Sequence, residues 1–159
     1  MYMHKKSDSR CVCTVVKKAA RALSRVYDMA LEPSQLTVAQ LAILRTIQRE
    51  GESGAPLSRL AEKLVMERTA LYRALKPLEV AGWIEVRHAV RGRARHAGLT
   101  AGGTRILKNA GSDWERVQGM VVERFGAERW ADLQAALHEL TLISSQLAAS
   151  PVSRTGLPQ

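Results

Sequence analysis

The sequence predicts a mostly α-helical fold with one small β hairpin. Apolar residues recur at helical spacing along most of the 159 residues. Hydrophobic residues make up 46% of the chain but aromatic residues only 4%. The core must therefore consist mainly of Leu, Val, Ile and Ala, which suits helices packed on helices. The helical spacing gives way to alternation around an arginine-rich tip between Glu85 and His96.

Both ends of the chain are expected to lie outside the folded part. Residues 1–10 are polar and are predicted to be disordered. The first helix should begin at Val12 and end before Pro33, because a residue that precedes proline avoids the helical conformation. Residues 150–159 contain Pro151 and Pro158 and are predicted to form a flexible tail.

The central region predicts three further helices. Thr37 with Gln40 three residues later has the pattern of a capping box, which opens a helix. Residues 55–57 surround a proline and can form at most a fragment of an edge strand. Ser58 is expected to cap a short helix that runs to Leu64, and a second short helix should follow over residues 68–80.

A hairpin and two long helices complete the predicted order of elements. Residues 83–88 and 96–99 are predicted to be the two strands of the hairpin. Thr100 should cap a long helix that reaches about Arg124. Gly126 then breaks that helix, and a last helix is expected over residues 127–149.

The outer helices carry more apolar residues than the small central region can cover. A dimer built from residues 11–36 and 101–149 would bury them. The alternative is that these helices fold back on one chain as a monomeric bundle. The interpretation adopted is a homodimer, with residues 37–100 forming a separate module.

The charge balance limits the possible partners. The formal net charge is +9 and the pI is about 10.2, which predicts attraction to nucleic acid or to an anionic membrane. No apolar run approaches the roughly 18 residues that a membrane-spanning helix needs, and the polar N-terminus does not resemble a secretory signal. Two cysteines cannot form a disulfide framework, so a reducing cytoplasm is the expected compartment, with no membrane partner.

The helix over residues 68–80 has two chemically different faces. Its apolar face carries Leu71, Leu75 and Leu78. Its opposite face carries donors suited to base edges and phosphates, as a helix in the major groove of double-stranded DNA requires. These are Arg68, Thr69, Tyr72, Arg73 and Lys76. An ordinary solvated face is the alternative, but the nearby hairpin favours nucleic acid.

The hairpin itself has far more positive than negative charge. Four arginines lie there against the single acid Glu85. Packing does not explain so much unpaired charge in a short hairpin, whereas a wing laid along a polyanion does. The four are Arg87, Arg91, Arg93 and Arg95.

Several of these segments together resemble the MarR (multiple antibiotic resistance regulator) family. They are LTVAQLAILRTI, LSRLAEKLVMERTALYRALKPLEVAGWIEV, the wing, and LTAGG, and the resemblance covers about residues 12–148. It implies a winged helix-turn-helix DNA-binding domain over residues 37–100 and an obligate dimer built by the terminal helices. It also implies that each subunit reads half of a pseudo-palindromic operator, and that the protein is a repressor, as most members are.

The resemblance also assigns roles within the predicted interface. The recognition-helix contacts map to the five polar residues of the 68–80 helix, and the arginine that enters the minor groove maps to Arg93. Arg87 and Arg95 are expected to hold phosphate. Arg91 stands where the family usually has an acid, which predicts a more mobile wing. Val65 follows Leu64 where glycine is frequent, so we expect this turn to differ slightly or to lie in the right-handed region, because valine disfavours the left-handed one.

Cys11 and Cys13 are the candidate sensor. Counting from Cys13 reproduces the spacing of the family members that sense organic hydroperoxides, and Tyr27 matches one of the tyrosines that hold their thiolate. Two other such tyrosines appear here as Lys17 and Val38. A buried structural cysteine is one alternative. A small apolar or phenolic ligand between the dimer and DNA-binding domains is another.

Enzymatic and metal chemistry find little support in the sequence. We find no Gly-rich phosphate loop, nucleophile elbow or His-Glu-His metal spacing, so neither an enzyme nor a cofactor is expected. Cys11 and Cys13 with His4 supply too few ligands for a metal site. His88 and His96 are expected to face each other across the hairpin, near phosphates. A DNA-architectural protein without a switch remains the alternative function.

Overall fold

Helices dominate the part of the chain that a computed structural model describes, which is residues 11–51, 53–88 and 95–150. Every predicted helix is present, and the predicted fold class is confirmed. The helices are α1 (Val12–Leu31), α2 (Val38–Arg49), α3 (Leu57–Leu64), α4 (Arg68–Val80), α5 (Ala101–Phe125) and α6 (Ala127–Ala149), and the strands are β1 (Ala55–Pro56), β2 (Ile84–His88) and β3 (Arg95–Leu99). The predictions for residues 1–10, the wing tip and residues 151–159 lie outside the described residues.

The chain divides by internal packing into two compact units, Met1–Val117 and Gln118–Gln159. In the second unit, Gly126 separates α5 from α6 with φ +98°, in the region that glycine favours. Within this single chain, α6 has no buried residue. The division into dimerisation helices and a DNA-binding domain stays a prediction.

The core of the first unit is aliphatic, as the low aromatic content predicts. Leucine and isoleucine side chains from α2, α3 and α4 meet there and exclude water. The largest side chains with less than 2% exposure in this cluster are Leu31, Leu41, Leu44, Ile47, Leu60, Leu71 and Leu78.

The start of α2 satisfies its free N–H groups in two ways. The predicted capping box is confirmed, since Thr37 Oγ1 accepts from the N–H of Gln40 and Gln40 Oε1 accepts from the N–H of Thr37. In addition, Asp28 Oδ1 accepts from the N–H of Val38 at 2.7 Å. Because Asp28 belongs to α1, this hydrogen bond fixes α1 to the first turn of α2.

The sheet has the order β1-β3-β2, with both pairs antiparallel. Residues 55 and 56 therefore form the predicted edge strand. The expectation that His88 and His96 face each other is wrong, because His88 lies opposite Arg95 and His96 lies opposite Arg87. Adjacent positions on a strand point to opposite faces, so this register places the two histidines on different faces.

The start of α3 differs from the prediction. The helix begins at Leu57 with Pro56 as its N-cap, and it has no side-chain cap. Ser58 thus lies inside the first turn, and its assignment as the cap is wrong. The reason is that Pro56, with φ −55° and ψ 133°, is both the last residue of β1 and the N-cap of α3, so the helix begins directly after it.

The turn between α3 and α4 contains a left-handed valine. Val65 has φ 52° and ψ 46°, so of the two expected alternatives the right-handed turn is wrong. The N–H of Met66 donates to the carbonyl of Ala61 and that of Val65 to the carbonyl of Glu62, and this closure of a helix end requires a left-handed residue. The side chain of Val65 is 67% exposed, so no neighbour crowds it.

Four elements meet at Trp83, between α4 and β2. The N–H of Trp83 donates to the carbonyl of Leu78, and the carbonyl of Trp83 accepts from the N–H of Thr100 at 3.1 Å. The hydroxyl of Thr100 donates to the carbonyl of Gly82. The same hydroxyl accepts from the N–H of Gly103, which confirms Thr100 as the cap of α5. A Cβ at Gly103 would overlap the carbonyl oxygen of Trp83, so only glycine allows α5 to approach this closely.

Replacing Val65 with glycine should stabilise the protein. A β-branched residue in the left-handed region costs about 1–2 kcal/mol, and glycine removes that cost while little buried area is lost. We expect the free energy of unfolding to rise by about 1 kcal/mol, which is seen as a higher denaturant midpoint at fixed protein concentration. Val80→Gly is the control, since Val80 is 75% exposed on the helical backbone of α4, and it should lower the midpoint slightly. A Val65→Gly midpoint at or below wild type would contradict strain at this turn.

Gly103→Ala should destabilise the protein by roughly 2 kcal/mol or more, because the added methyl group meets backbone that has no alternative position. Gly111→Ala is the matched control. Gly111 lies in the same helix, and a Cβ there would meet nothing within 4 Å. That substitution should stabilise α5 by about 0.5–1 kcal/mol. Equal effects of the two substitutions on thermal unfolding would show that the close approach at Trp83 does not matter.

Candidate nucleic-acid interface

Helix α4 separates its buried and exposed residues as the sequence predicts. Leu71, Leu75 and Leu78 are 1%, 3% and 0% exposed and pack in the core. The five candidate contact residues all lie on the exposed side, namely Arg68, Thr69, Tyr72, Arg73 and Lys76. The helix is thus held by its leucines while its donors remain accessible to a ligand.

The exposed side of α4 keeps most of its positive charge unneutralised. Among the described residues, Arg68 and Arg73 form no ion pair, whereas Lys76 lies 3.5 Å from Glu79. Such a surface ion pair contributes little and is readily exchanged. The surface therefore presents charge that is available to an anionic partner.

The structure describes two of the four wing arginines, one on β2 and one on β3. Arg87 forms an ion pair with Glu85 two residues earlier on β2. Arg95, the first residue of β3, places its guanidinium 5.4 Å from the centroid of the Tyr72 ring, within range of a cation–π interaction. Arg91 and Arg93 lie outside the described residues, so the predicted minor-groove role of Arg93 and the predicted mobility of the wing stay predictions.

A cavity of about 260 Å³ lies where α3, α4 and β3 come together. Pro56, Leu57 and Leu71 form its apolar wall. Its polar lining comes from Ser58, Arg68, Tyr72 and Arg95. Sequence reasoning found three of these four residues but missed Ser58, because only the tertiary structure brings the start of α3 beside α4 and β3.

The two cysteines lie at the start of α1, and both are exposed in the single chain. Cys11 is the N-cap residue, with an extended backbone at φ −77° and ψ 112°. Hydrogen bonds from the hydroxyl and the N–H of Thr14 lower the pKa of the Cys11 thiol, and the charge of Lys17 adds to this. The alternative of a buried cysteine does not hold within one chain.

Tyr27 is not close to either cysteine of its own chain. It lies on the same continuous helix as Cys13, 14 residues later, which places it about 21 Å away along the axis. Burial raises the pKa of its hydroxyl. The structure therefore does not join Tyr27 and the thiols into one site within a chain.

Neither a metal cluster nor a membrane span is found in the described ranges. No three His, Cys, Asp or Glu side chains come together there as ligands for an ion. No helix there has both the length and the apolar character needed to cross a bilayer.

Comparison with known proteins finds a family match over the region that contains α2, α3, α4 and β2. Residues 36–91 match the sequence profile of the MarR family. The chain is 31% identical to the M. tuberculosis transcriptional regulator MosR, whose structure was determined in complex with DNA. The TM-score is 0.78, and the match covers 86% of this chain and 98% of the MosR chain. No curated protein sequence matches the chain.

More distant structures share the fold. A mutant of E. coli MarR in complex with operator DNA is 21% identical, with a TM-score of 0.72 over 80% of this chain and 91% of the other. S. aureus MepR in complex with DNA is 17% identical, with a TM-score of 0.72 over 86% of this chain and 99% of the other. The winged-helix arrangement around α4 is therefore common to all of these proteins.

Proposed function

This chain belongs to the MarR family of winged-helix transcriptional regulators, and we propose that it is a homodimeric repressor released from a pseudo-palindromic operator by thiol oxidation. Family membership places it among DNA-binding regulators and not among enzymes. The observation that carries the proposal is the exposed, mostly unpaired positive face of α4 beside Arg95. Support also comes from MosR, which is 31% identical and was determined in complex with DNA.

The proposed DNA contacts fall into two groups. The exposed residues of α4, from Arg68 to Lys76, enter the major groove and read bases or hold phosphates. Arg93 enters the adjacent minor groove, while Arg87, Arg91 and Arg95 contact phosphate. Arg87 keeps part of its charge engaged with Glu85, so we expect it to contribute less than Arg95.

The proposed homodimer would cover apolar residues that one chain leaves exposed. Such residues recur along α1 and, separately, along α6, and exposed apolar residues in this number favour an interface. On α1 they are Val12, Val15, Val16, Leu23, Val26 and Met29, and on α6 they are Leu133, Leu142, Ile143 and Leu147. A two-fold dimer would present two α4 helices to two half-sites.

Selection of bound duplexes from a random DNA pool tests the DNA-reading function. We expect a pseudo-palindromic consensus sequence with two equivalent half-sites. Arg73→Ala should then weaken binding by roughly 1–3 kcal/mol and blur the preference at one position of each half-site, if Arg73 reads a base.

The matched control is Arg116→Ala, which removes an exposed arginine paired with Asp113 on α5 and should leave the consensus and affinity unchanged. A uniform loss on all sequences would make Arg73 a phosphate contact. Tight binding without any preference among DNA sequences would instead support a DNA-architectural protein.

The proposed sensor is the thiol of Cys11, which is exposed and has a lowered pKa. Its thiolate attacks one oxygen of an organic hydroperoxide, the O–O bond breaks, and the alkoxide takes up a proton and leaves as the alcohol. Sulfur is oxidised to a sulfenic acid while the peroxide is reduced. The Thr14 hydroxyl and Lys17 favour the thiolate that this step requires.

Oxidation of the reduced protein with cumene hydroperoxide should release it from the selected operator. Cys11→Ser should abolish release. Cys13→Ser, the matched control two residues later, should still be oxidised at Cys11 and released. Loss of release only in Cys13→Ser would transfer the role to Cys13. Release that survives both substitutions would exclude the thiols, and a small apolar or phenolic ligand would then be the signal to seek.

A further inference from the structure

We propose that the cavity between α3, α4 and β3 is a seat for one phosphate group of the DNA backbone, formed by Ser58, Arg68 and Arg95, with Tyr72 as a positioning residue for Arg95. This inference rests on the proposed function, since the phosphate comes from the operator. It changes the expected role of Tyr72, which would act through Arg95 and not by reading a base.

The charge around the cavity selects an anion. Arg68 and Arg95 both line it, no acidic side chain does, and neither arginine forms an ion pair with another described residue. The tip of the wing next to Arg95, residues 89–94, contains no acid in its sequence that could neutralise it. Two arginines that line one cavity without an acidic partner among the described residues are suited to a phosphate, which accepts several charge-assisted hydrogen bonds.

The start of α3 adds donors that carry no charge. Ser58 lines the cavity and carries a hydroxyl, and the first turn of α3 has no side-chain cap. The N–H groups of a first helical turn lack helical acceptors and favour an anion. The cavity thus combines two arginines with the start of a third element, whose first turn has unpaired donors.

The cavity is small compared with the sites of drug-sized ligands. Its volume of about 260 Å³ lies below the roughly 300–1,000 Å³ usual for drug-sized ligands. The cavity suits a single compact group, and its position beside the exposed face of α4 is where a strand of DNA would pass if α4 lies in the major groove.

Tyr72 connects the recognition helix to the wing. Its ring lies 5.4 Å from the guanidinium carbon of Arg95 and lines the same cavity. This contact depends on the ring and not on the hydroxyl. It holds Arg95 at the seat in the free protein, so less ordering is needed when DNA binds.

A methylphosphonate scan tests the seat directly. Single neutral methylphosphonates are placed along each strand of the selected operator, and the affinity of each duplex is measured. For the wild type we expect one position per half-site at which neutralisation weakens binding by roughly tenfold. In Arg95→Gln the loss at the same position should be clearly smaller, because one of the two charged partners of that phosphate has already been removed.

The matched control for charge is Arg59→Gln. Arg59 neighbours Ser58 on α3, but its guanidinium lies 3.4 Å from Glu50 and it does not line the cavity. This variant should retain the full effect of the methylphosphonate. An effect of equal size in wild type and Arg95→Gln would overturn the seat.

The role of Tyr72 is tested with two variants. Tyr72→Phe keeps the ring and should keep both the consensus and the coupling between Arg95 and its phosphate. Tyr72→Leu removes the ring and should reduce that coupling while the consensus persists. A changed consensus in Tyr72→Phe would show that the hydroxyl reads a base and would overturn the positioning role.

A titration of the free protein with inorganic phosphate, at constant ionic strength, separates this inference from the proposed function. Amide resonances of Leu57 and Ser58 should shift in the wild type and should need a higher phosphate concentration to shift in Arg95→Gln. If no operator is selected but these shifts occur, the seat stands and the repressor function fails. If they occur while the methylphosphonate scan shows no coupling, the seat serves a free anion and the DNA assignment is overturned.

Discussion

The close contact of α5 with the backbone at Trp83 determines how the rest of the DNA-binding region is arranged. Trp83 follows directly on the turn that ends α4, and its carbonyl accepts from Thr100, the residue that joins β3 to α5. Thr100 also reaches back to Gly82 and caps α5 at Gly103. The end of α4, the strands β2 and β3, and the start of α5 are thus tied together within a few residues. A shift of any one of them would move the others.

The distribution of ion pairs distinguishes structural arginines from available ones. Glu50, at the end of α2, accepts a hydrogen bond from Lys63 and lies near Arg59, and these two cations hold its pKa below the usual value. This network joins α2 to α3 and uses the positive charges of α3 internally. Arg68, two residues after the turn, has no such partner among the described residues. The acid Glu50 therefore pairs with cations of α3, while the cations of α4 stay largely unpaired, as the proposed DNA contacts require.

Local chemistry explains which features could be predicted from the sequence. The presence of each helix, the Thr37 capping box and the Thr100 cap depend on residues close in the chain, and all are confirmed, whereas the start of α3 is not. The left-handed Val65 could not be predicted, because the hydrogen bonds that close α3 outweigh the preference of valine. The cavity beside Ser58 could not be predicted either, because three elements distant in sequence form it. The strand register was missed by one position, which is enough to reverse the face of each histidine.

In the proposed homodimer, α1 is the path by which oxidation would reach the DNA-reading helices. Cys11 stands at its first residue, next to the exposed Val12 and Val15 that a second copy would cover. At its other end, Asp28 binds the first turn of α2. A helix of this length spans roughly 30 Å, so within one chain the thiol lies far along the helix from the contact between Asp28 and α2. Oxidation would have to change how α1 packs against its partner, because a shift of the whole helix is transmitted through Asp28 to α2 and the core that supports α4.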